Sequence, residues 1–283
     1  MLKTRIITAI FLIIGFLTLL FLASQMAWAL TALTITLIAV WEWSNLIKLN
    51  QKQMLLNVSV ALSIGLAFIF SASMQLMDVH DALMFRLLFG ILSISAIFWV
   101  FLAPFWLISR KKINNKFLMA ILGLLLLLAT WIALVGLHHI GPWALLVVLA
   151  TVWLADSAAY FAGKRFGRHK LAPEISPGKT WEGVAGAFVA VTIYGAMLCY
   201  FWQFSPWQII GLWLIVVLSI MGDLFESLLK RQAEMKDSSH LLPGHGGILD
   251  RIDGLIPSLA LTMFVMYLPI FMNIAFPEAM MNG

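Results

Sequence analysis

Apolar residues along this chain fall into long runs that are separated by short polar breaks. The runs predict nine spans, at roughly 6–23, 26–43, 54–72, 87–108, 117–137, 143–162, 184–203, 207–228 and 254–276. A helix needs about 20 mainly apolar residues to cross the hydrocarbon core of a bilayer, and each run is close to that length. The breaks are too short to hold a soluble domain. The pattern therefore predicts an all-α, polytopic integral membrane protein of about nine transmembrane helices.

The composition agrees with a bilayer environment and excludes other classes. Of the 283 residues, 62% are hydrophobic and 11% are charged, so an ordinary soluble domain is excluded. Cys199 is the only cysteine, which rules out a disulfide framework or a cysteine zinc site. Lys3 and Arg5 precede the first apolar run as they would in a signal peptide. That run is longer than a signal core and another span follows directly, so we interpret it as a retained span.

The basic residues fall on one side of the predicted membrane protein. If the N-terminus is cytosolic, every lysine and arginine except Arg86 lies on the inner face. Cytosolic loops of membrane proteins carry such an excess of positive charge. We therefore expect a cytosolic N-terminus, an odd number of spans, a C-terminus outside, and a location in the cell inner (cytoplasmic) membrane. Because this placement accounts for the net charge of +5, no nucleic-acid partner is expected.

The two parts of the chain differ in the residues that their spans and loops contain. Residues 1–140 form a predicted N-terminal transmembrane region of about five helices, with plain apolar spans. In residues 141–283, acids enter the spans, and the inward loops 164–183 and 230–253 become rich in glycine, proline, lysine, serine and histidine. The C-terminal region is therefore predicted to be the catalytic one.

Acidic residues inside predicted spans are the first candidates for function. Each costs about 2.5–3.5 kcal/mol at the centre of a membrane helix on insertion scales, so a functional reason is the default. These acids are Glu42, Asp156, Asp223 and Glu226. Glu42 lies between Trp41 and Trp43 near the end of its span, where an interfacial anchor is the favoured interpretation.

Two helical faces place acids beside other polar groups. Asp223 and Glu226 share a face with Lys230, and a simple Glu226–Lys230 ion pair remains an alternative that would still leave Asp223 unexplained. Asp156 shares a face with Tyr160 one turn later, although packing in the core is an equal alternative for Tyr160. Both helices end in inward loops, so the acids would lie near the cytosolic surface.

The loop 230–253 combines a glycine-rich turn with acids spaced three residues apart. Glycines such as Gly246 and Gly247 allow backbone N–H groups to approach a phosphate, and Asp250 and Asp253 can offer oxygen ligands to a hard cation. A solvated loop with balanced charges is the alternative. His245 is not predicted to be a metal ligand, because Mg²⁺ prefers oxygen.

The loop 164–183 contains a candidate anion site around Lys179. The sequence Gly178-Lys179-Thr180 is similar to the end of a P-loop, but Pro173 stands where the first glycine is required and no strand is expected before it. A P-loop is therefore rejected. A lysine and hydroxyls in a tight Pro177-Gly178 turn just before a helix remain a plausible site for an anion.

The C-terminal motifs resemble the signature of the bacterial phosphatidate cytidylyltransferases, also called CDP-diglyceride synthetases. The similarity covers about residues 150–255, whereas the first 140 residues resemble the family only in being helical and apolar. A minor departure is Ser239, where glycine would be expected more often. The matching motifs run from Asp156 to Lys164, from Ser176 to Gly183, from Gly222 to Arg231, from Lys236 to Ser238, and from His245 to Asp253.

The resemblance implies an all-helical membrane fold with a polar cavity that faces the cytosol and holds a divalent metal. The implied reaction converts CTP and phosphatidic acid to CDP-diacylglycerol and pyrophosphate, with Mg²⁺ as cofactor and a second cation left open. By similarity, Asp223 and Asp250 would hold the metal, and Glu226 and Asp253 are added as candidates. The candidate catalytic residues are Asp223, Asp250, Lys230 and Arg231. The candidate binding residues are Asp156, Tyr160, Ser176, Lys179, Thr180, Lys236, Asp237, His245, Gly246, Gly247 and Arg251.

The expected mechanism relies on charge neutralisation. The phosphate of phosphatidic acid is already largely dianionic near neutral pH, so its attack on CTP needs alignment more than a strong base. We expect Mg²⁺ to bridge triphosphate oxygens, with Lys179, Lys230, Arg231 and Arg251 sharing the remaining charge. The alternatives are a CTP-dependent kinase of a lipid alcohol such as a polyprenol, and an ion-coupled transporter. Expected partners are CTP, phosphatidic acid and membrane lipids, and a homodimer is left open.

Overall fold

Helices make up nearly all of the protein. The computed structural model describes residues 14–73, 82–241 and 246–275. Within them, a helical segment α1 covers 14–22. The following helices are α2 (Gln25–Leu46), α3 (Gln51–Ser73), α4 (Ala82–Ile97), α5 (Ala103–Ser109), α6 (Lys116–Ile140), α7 (Pro142–Phe166), α8 (Trp181–Trp202), α9 (Gln208–Ala233), α10 (Leu249–Ile252) and α11 (Leu255–Ala275).

The architecture of an all-helical, multi-pass membrane protein is confirmed. Among the described residues, eight helices are long and apolar enough to cross a membrane. They correspond to the second through ninth predicted spans. The first predicted span, 6–23, lies partly outside the described residues, so the count of nine helices and the orientation of the termini remain predictions.

One span is interrupted by a π-helical turn that accommodates an aromatic cluster. The turn covers Phe98–Leu102 and joins α4 to α5. Its Phe98 and Trp99, together with Trp106 of α5, surround Phe225 of α9 with ring centroids 5.3–5.5 Å apart. The three pairs are edge-to-face, which suits the ring quadrupoles. This cluster fixes the rotation of α9, the helix that carries Asp223.

Small residues allow α7 and α8 to pack closely. A Cβ atom on Gly183 would lie 2.8 Å from the Ala159 carbonyl oxygen, and one on Gly186 would collide with the Ala162 methyl group. Small residues at such positions let membrane helices approach each other. The pairing of α7 with α8 therefore fixes the ends of the segment that joins them.

That segment forms a β-hairpin, which the sequence did not predict. Strand β1 (Lys170–Ala172) pairs antiparallel with β2 (Ser176–Thr180), and Lys170 lies opposite Thr180. The predicted tight turn at Pro177-Gly178 is wrong, because both residues lie within β2 and the chain reverses at 173–175. The expectation that no strand precedes this sequence is also wrong, because β1 ends directly before Pro173.

The protein has two hydrophobic cores, and each contains residues from helices before and after residue 140. One core contains residues of α2, α6, α7, α8 and α9, among them Trp131, Leu145 and Val216. The second contains Trp43 of α2 and Phe225 of α9, together with residues of α5, α6 and α11. The N-terminal helices therefore pack directly against the helices that carry the candidate site. The division of the chain at residue 140 remains a prediction.

We predict that Gly222→Ala destabilises the protein, because α9 approaches α11 too closely there for a side chain. A Cβ atom at this position would clash with the Asp253 carbonyl oxygen and would lie 2.9 Å from the Pro257 ring. Overpacking of this kind costs about 1–3 kcal/mol. The measurement is the thermal unfolding midpoint in detergent.

The matched control is Gly211→Ala in the same helix, where a Cβ atom meets nothing within 4 Å. Alanine is the better helix former by up to about 1 kcal/mol, so this variant should be neutral or slightly stabilising. Equal unfolding midpoints for the two variants would contradict the close packing at Gly222.

Candidate active site

A cavity of about 1270 Å³ lies among the helices of both regions and the β-hairpin. Its charged wall contains Asp156, Asp223, Asp250, Asp253, Lys164, Lys170, Lys179 and Arg251. Its apolar wall includes Phe16, Leu19, Trp28, Ile35, Leu134 and Leu149. Both Leu149 and Asp156 belong to α7, where a rise of about 1.5 Å per residue separates them by roughly 10 Å. The cavity thus has a charged end and an apolar end.

Three carboxylates and one lysine meet at the charged end. The Lys179 Nζ of β2 lies 2.7 Å from Asp223 Oδ2 of α9. Asp223 Oδ1 also accepts a bond from Ser227 Oγ at 3.3 Å. Asp156 of α7 accepts from Ser219 Oγ at 3.2 Å and is close enough to Asp223 and Lys179 for electrostatic interaction. The hairpin, α7 and α9 therefore all contribute to one charged cluster.

Asp253 completes this acidic cluster from the loop before α11. Burial, together with the nearby carboxylates of Asp223 and Asp156, raises the pKa of Asp253. The backbone N–H of Gly254 donates to its Oδ1 at 2.7 Å, which only partly offsets the effect. Three acids with one lysine leave the cluster electrostatically unbalanced, and a cation placed there would relieve the repulsion.

Asp250 belongs to a second charged group, which is centred on Lys230. Lys230 Nζ donates to Asp250 Oδ1 at 2.5 Å and also pairs with Glu226 Oε2 one turn earlier in α9. Asp250 Oδ2 accepts from the backbone N–H of Ser238 at 2.9 Å and of Gly247 at 2.7 Å. Burial alone would raise the pKa of Asp250, but these hydrogen bonds outweigh it and hold that pKa well below its ordinary value.

The predicted metal set is therefore divided between two groups. Asp223 and Asp253 lie in the first, and Asp250 and Glu226 lie in the second. Asp223, Asp250 and Asp253 line the cavity, whereas Glu226 lies in the interior beside Lys230. The alternative interpretation of Glu226 as the partner of Lys230 is thus confirmed, and Asp223 keeps a separate environment.

Several predicted binding residues have structural contacts of their own. Thr180 lines the cavity and accepts the Gly183 N–H at 3.1 Å, so it also begins α8 as its N-cap. Arg231 points to the hairpin, where its Nε donates to the Ile175 carbonyl oxygen at 3.4 Å. The predicted site residues therefore divide into those that line the cavity and those that do not. On the cavity wall lie Asp156, Tyr160, Ser176, Lys179, Thr180 and Arg251, and outside it lie Lys230, Arg231, Lys236, Asp237, Gly246 and Gly247.

The glycine-rich turn contacts Asp250. Gly246 has φ +77°, a backbone conformation that favours glycine, and a Cβ atom there would lie 2.7 Å from Asp250 Oδ2. The Gly247 N–H donates to Asp250. This amide therefore positions the acid and is not open to bind a phosphate, as the sequence analysis had expected. His245 lies outside the described residues.

The cavity is also lined by two lysines that the sequence analysis did not include among the candidate site residues. Lys164 and Lys170 lie at its charged end. The Lys164 Nζ is 5.7 Å from the centre of the Tyr160 ring, within range of a cation–π interaction. The signal was available, because both residues belong to the basic inward loop 164–183 that the sequence predicts.

Glu42 is the largest correction to the sequence-based interpretation. It is 0% exposed, and its carboxylate accepts four hydrogen bonds from residues 238–249. Its neighbour Trp43 is 3% exposed and donates to the Met119 carbonyl oxygen inside the bundle. The prediction of an interfacial anchor is therefore wrong. The presence of an acid inside an apolar run did indicate a special role. Its hydrogen-bond partners lie about 200 residues away, so residue spacing could not identify them.

The charged end fits a hard divalent cation by donor type and charge. Among the described residues, no three side chains of histidine, cysteine, aspartate or glutamate are already close enough to hold a metal together. Carboxylate oxygens of Asp156, Asp223 and Asp253 nevertheless face one region, and Mg²⁺ prefers oxygen ligands, usually only one or two carboxylates besides water and phosphate. The residues thus fit a cation that arrives together with a phosphate-bearing substrate.

These features define a class of protein. An acidic cluster suited to a cation, lysines for anionic groups and an apolar wall occur in one cavity of a multi-pass membrane protein. This combination is expected of an enzyme that joins a phosphorylated substrate to a lipid.

The chain belongs to the cytidylyltransferase family, whose model matches residues 3–269. The phosphatidate cytidylyltransferase of Haemophilus influenzae is 38% identical over 277 residues, which cover 90% of this chain and 95% of that protein. That of Pseudomonas aeruginosa is 36% identical over 264 residues, which cover 90% and 93%. That of Brucella melitensis is 46% identical over 130 residues, 44% of this chain and 47% of that protein. The resemblance inferred from the C-terminal motifs is thus confirmed, and the similarity extends over the N-terminal helices.

We predict that Lys230→Met strongly destabilises the protein, because it leaves Glu226 and Asp250 buried without their cation. Breaking a buried ion pair by removing one partner costs about 3–5 kcal/mol. Lys112→Met is the control, since this exposed lysine donates only to the Gln232 carbonyl oxygen, and surface changes usually stay within about 0.5 kcal/mol. The measurement is thermal unfolding in detergent.

Adding Glu226→Gln to Lys230→Met should restore part of the lost stability, because one unpaired acid is then removed. No difference between the Lys230 and Lys112 variants, or no recovery in the double variant, would show that Lys230 does not compensate these acids.

Proposed function

We propose that this protein transfers the cytidylyl group of CTP to phosphatidic acid and so produces CDP-diacylglycerol and pyrophosphate in phospholipid biosynthesis. The observation that carries the proposal is a cavity that has both a charged end and an apolar end. A soluble nucleotide would need only the charged end, whereas a phospholipid needs the charged end for its headgroup and the apolar end for its acyl chains. Membership of the cytidylyltransferase family supports the same reaction.

The two ends of the cavity suit the two parts of phosphatidic acid. Its phosphate would lie near Lys164, Lys170 and Lys179, which supply positive charge. Its acyl chains would extend along the apolar wall, to which α2 contributes Trp28 and Ile35 and α7 contributes Leu149. The N-terminal helices thus contribute to the lipid site, which gives them a role that their sequence does not indicate.

The reaction requires a phosphate oxygen of phosphatidic acid to attack the α-phosphorus of CTP. The bond from that phosphorus to the departing pyrophosphate then breaks. Both substrates are anionic, so the protein must reduce their repulsion and align them. Lys179 and Arg251 on the cavity wall are suited to share this charge, together with Lys164 and Lys170. Lys230 and Arg231 lie outside the wall, and Lys230 instead orients Asp250.

We propose Mg²⁺ as the cofactor, held at the charged end by Asp223 with Asp253 and Asp250. When bound, the metal would neutralise triphosphate charge and stabilise the departing pyrophosphate. Asp156 would add negative charge at the same position. Glu226 is a weaker candidate than the sequence suggests, because it is paired with Lys230.

We propose that the charged end faces the cytosol in the inner membrane. All four basic residues of the wall lie on the side that the positive charge distribution assigns to the cytosol. CTP is available on that side, and anionic lipids of the same leaflet can place their headgroups there.

We predict that the purified protein, incubated with CTP, phosphatidic acid and Mg²⁺, releases pyrophosphate and forms CDP-lipid. Asp223→Asn and Asp250→Asn should each lower turnover by about 100-fold or more, because metal-bound charge stabilisation is worth several kcal/mol. Chelation of divalent cations should abolish turnover. Glu234→Gln is the control, as this exposed acid follows α9 outside the cavity.

Turnover within a few-fold of wild type for both aspartate variants at saturating Mg²⁺ would overturn the metal assignment. Release of CDP with phosphorylation of a lipid alcohol, without CDP-lipid, would instead identify a kinase and overturn the proposed reaction.

We predict that Ile35→Trp raises KM for long-chain phosphatidic acid without raising KM for CTP, because the larger side chain fills the apolar end of the cavity. Leu30→Trp is the control, since Leu30 is exposed on the same helix but does not line the cavity. The KM for phosphatidic acid should rise by about 10-fold, which is the effect expected for loss of a few buried methylene groups. A parallel rise for both substrates would mean that the acyl chains lie elsewhere.

A further inference from the structure

Glu42 is a buried acid whose role the proposed reaction does not explain. It lies in α2, far along the chain from the catalytic motifs, and is 0% exposed. Its four partners are all neutral groups. A carboxylate inside a membrane helix is costly unless its environment compensates it, so these four bonds are what make its position tolerable.

The two oxygens of Glu42 divide the four donors evenly. Oε1 accepts from Ser239 Oγ at 2.6 Å and from the Ile248 N–H at 3.0 Å. Oε2 accepts from the Leu249 N–H at 2.5 Å and from Ser238 Oγ at 3.3 Å. Glu42 therefore joins the two parts of the segment that flank the glycine-rich turn, and it does so from a helix of the N-terminal region.

The same segment is held from its other side by Asp250. Ser238 Oγ lies 2.9 Å from Asp250 Oδ2 and 3.3 Å from Glu42 Oε2, so one hydroxyl is within reach of both acids. A hydroxyl has one proton to donate, so Ser238 can donate to only one of the two acids at a time and is shared between them. Displacement of Ser238 from Glu42 would thus also move a partner of Asp250.

The packing beside Glu42 leaves no space for a side chain on the turn. A Cβ atom on Gly247 would collide with Ser238 Oγ and with Glu42 Oε1. The backbone of the turn therefore lies directly against the carboxylate. Because the Gly247 N–H donates to Asp250 Oδ2, the position of this glycine connects the two acids.

We propose that Glu42 is a positioning residue for the reaction. Its carboxylate fixes residues 238–239 and 248–249 so that Asp250 and Arg251 are held at the cavity wall. Only a carboxylate offers an acceptor to each of these donors, because the NH₂ group of glutamine would face one of the two backbone N–H groups, which needs an acceptor. The catalytic part of this inference rests on the proposed function, whereas the structural part does not.

The test compares Glu42→Gln with Ser44→Ala. Ser44 is also 0% exposed and lies in the same helix, but its hydroxyl contacts Val40 and Asn57 instead of the catalytic segment. We expect Glu42→Gln to lower kcat about 10- to 100-fold, as displacement of a supporting group by about 1 Å can do. The KM for phosphatidic acid should change little, and Ser44→Ala should retain the kcat of wild type.

Hydrogen exchange provides a readout that does not depend on turnover. Glu42→Gln should increase exchange of the Ile248 and Leu249 amides, while the amides of α8 remain as protected as in wild type. Unchanged exchange at these amides would overturn the inference, as would a kcat equal to that of wild type in an enzyme of confirmed activity. If wild type forms no CDP-lipid, the proposed function fails, and the exchange experiment still decides whether Glu42 fixes the segment.

A milder variant covers the case in which Glu42→Gln does not fold. Ser239→Ala removes one donor and leaves the carboxylate in place, so kcat should fall by up to about 10-fold. Where both proteins fold, the effects of Glu42→Gln and Ser238→Ala on kcat should be less than additive, since both act on the same segment. Fully additive effects would mean that Ser238 acts only through its contact with Asp250, and would contradict a role for its contact with Glu42.

Discussion

Every charge that this bundle buries must be compensated nearby, and the candidate site is organised around that constraint. Lys230 compensates Glu226 and Asp250, and its pair with Asp250 joins α9 to α10. Lys179 pairs with Asp223, which joins the β-hairpin to the same helix. The two ion pairs therefore bring the motifs of separate loops to one side of α9. The acidic cluster beyond them lacks full compensation, and that imbalance supports the proposed cation site.

Aromatic contacts hold α9 in place in addition to these ion pairs. Phe225 lies between the acids of the helix and inserts its ring into the aromatic cluster formed by Phe98, Trp99 and Trp106. Such rings bury a large apolar area and prefer defined edge-to-face angles. Because they restrict the rotation of α9, the aromatic contacts also fix the direction in which Asp223 reaches the cavity.

The extent to which the sequence anticipates this structure depends on the range of the interaction. Apolar run length located the spans, and helical spacing placed Glu226 next to Lys230, because both are local properties of a helix. The pairing of Lys179 with Asp223 is set by how the hairpin folds over α9, which no spacing reveals. The hairpin was missed because Pro177-Gly178 is typical of a turn, although pairing with β1 keeps it extended. Glu42 was misassigned because its partners are about 200 residues away.

That separation has a consequence for how the protein is made. Glu42 leaves the ribosome 206 residues before Ile248, so α2 enters the membrane before any of its four hydrogen-bond donors has been synthesised. Until then its carboxylate needs water or a lipid headgroup, which holds that end of α2 near the membrane surface. The burial of this acid therefore depends on the last part of the chain to be synthesised, and a chain that stops short of residue 238 lacks all of these donors.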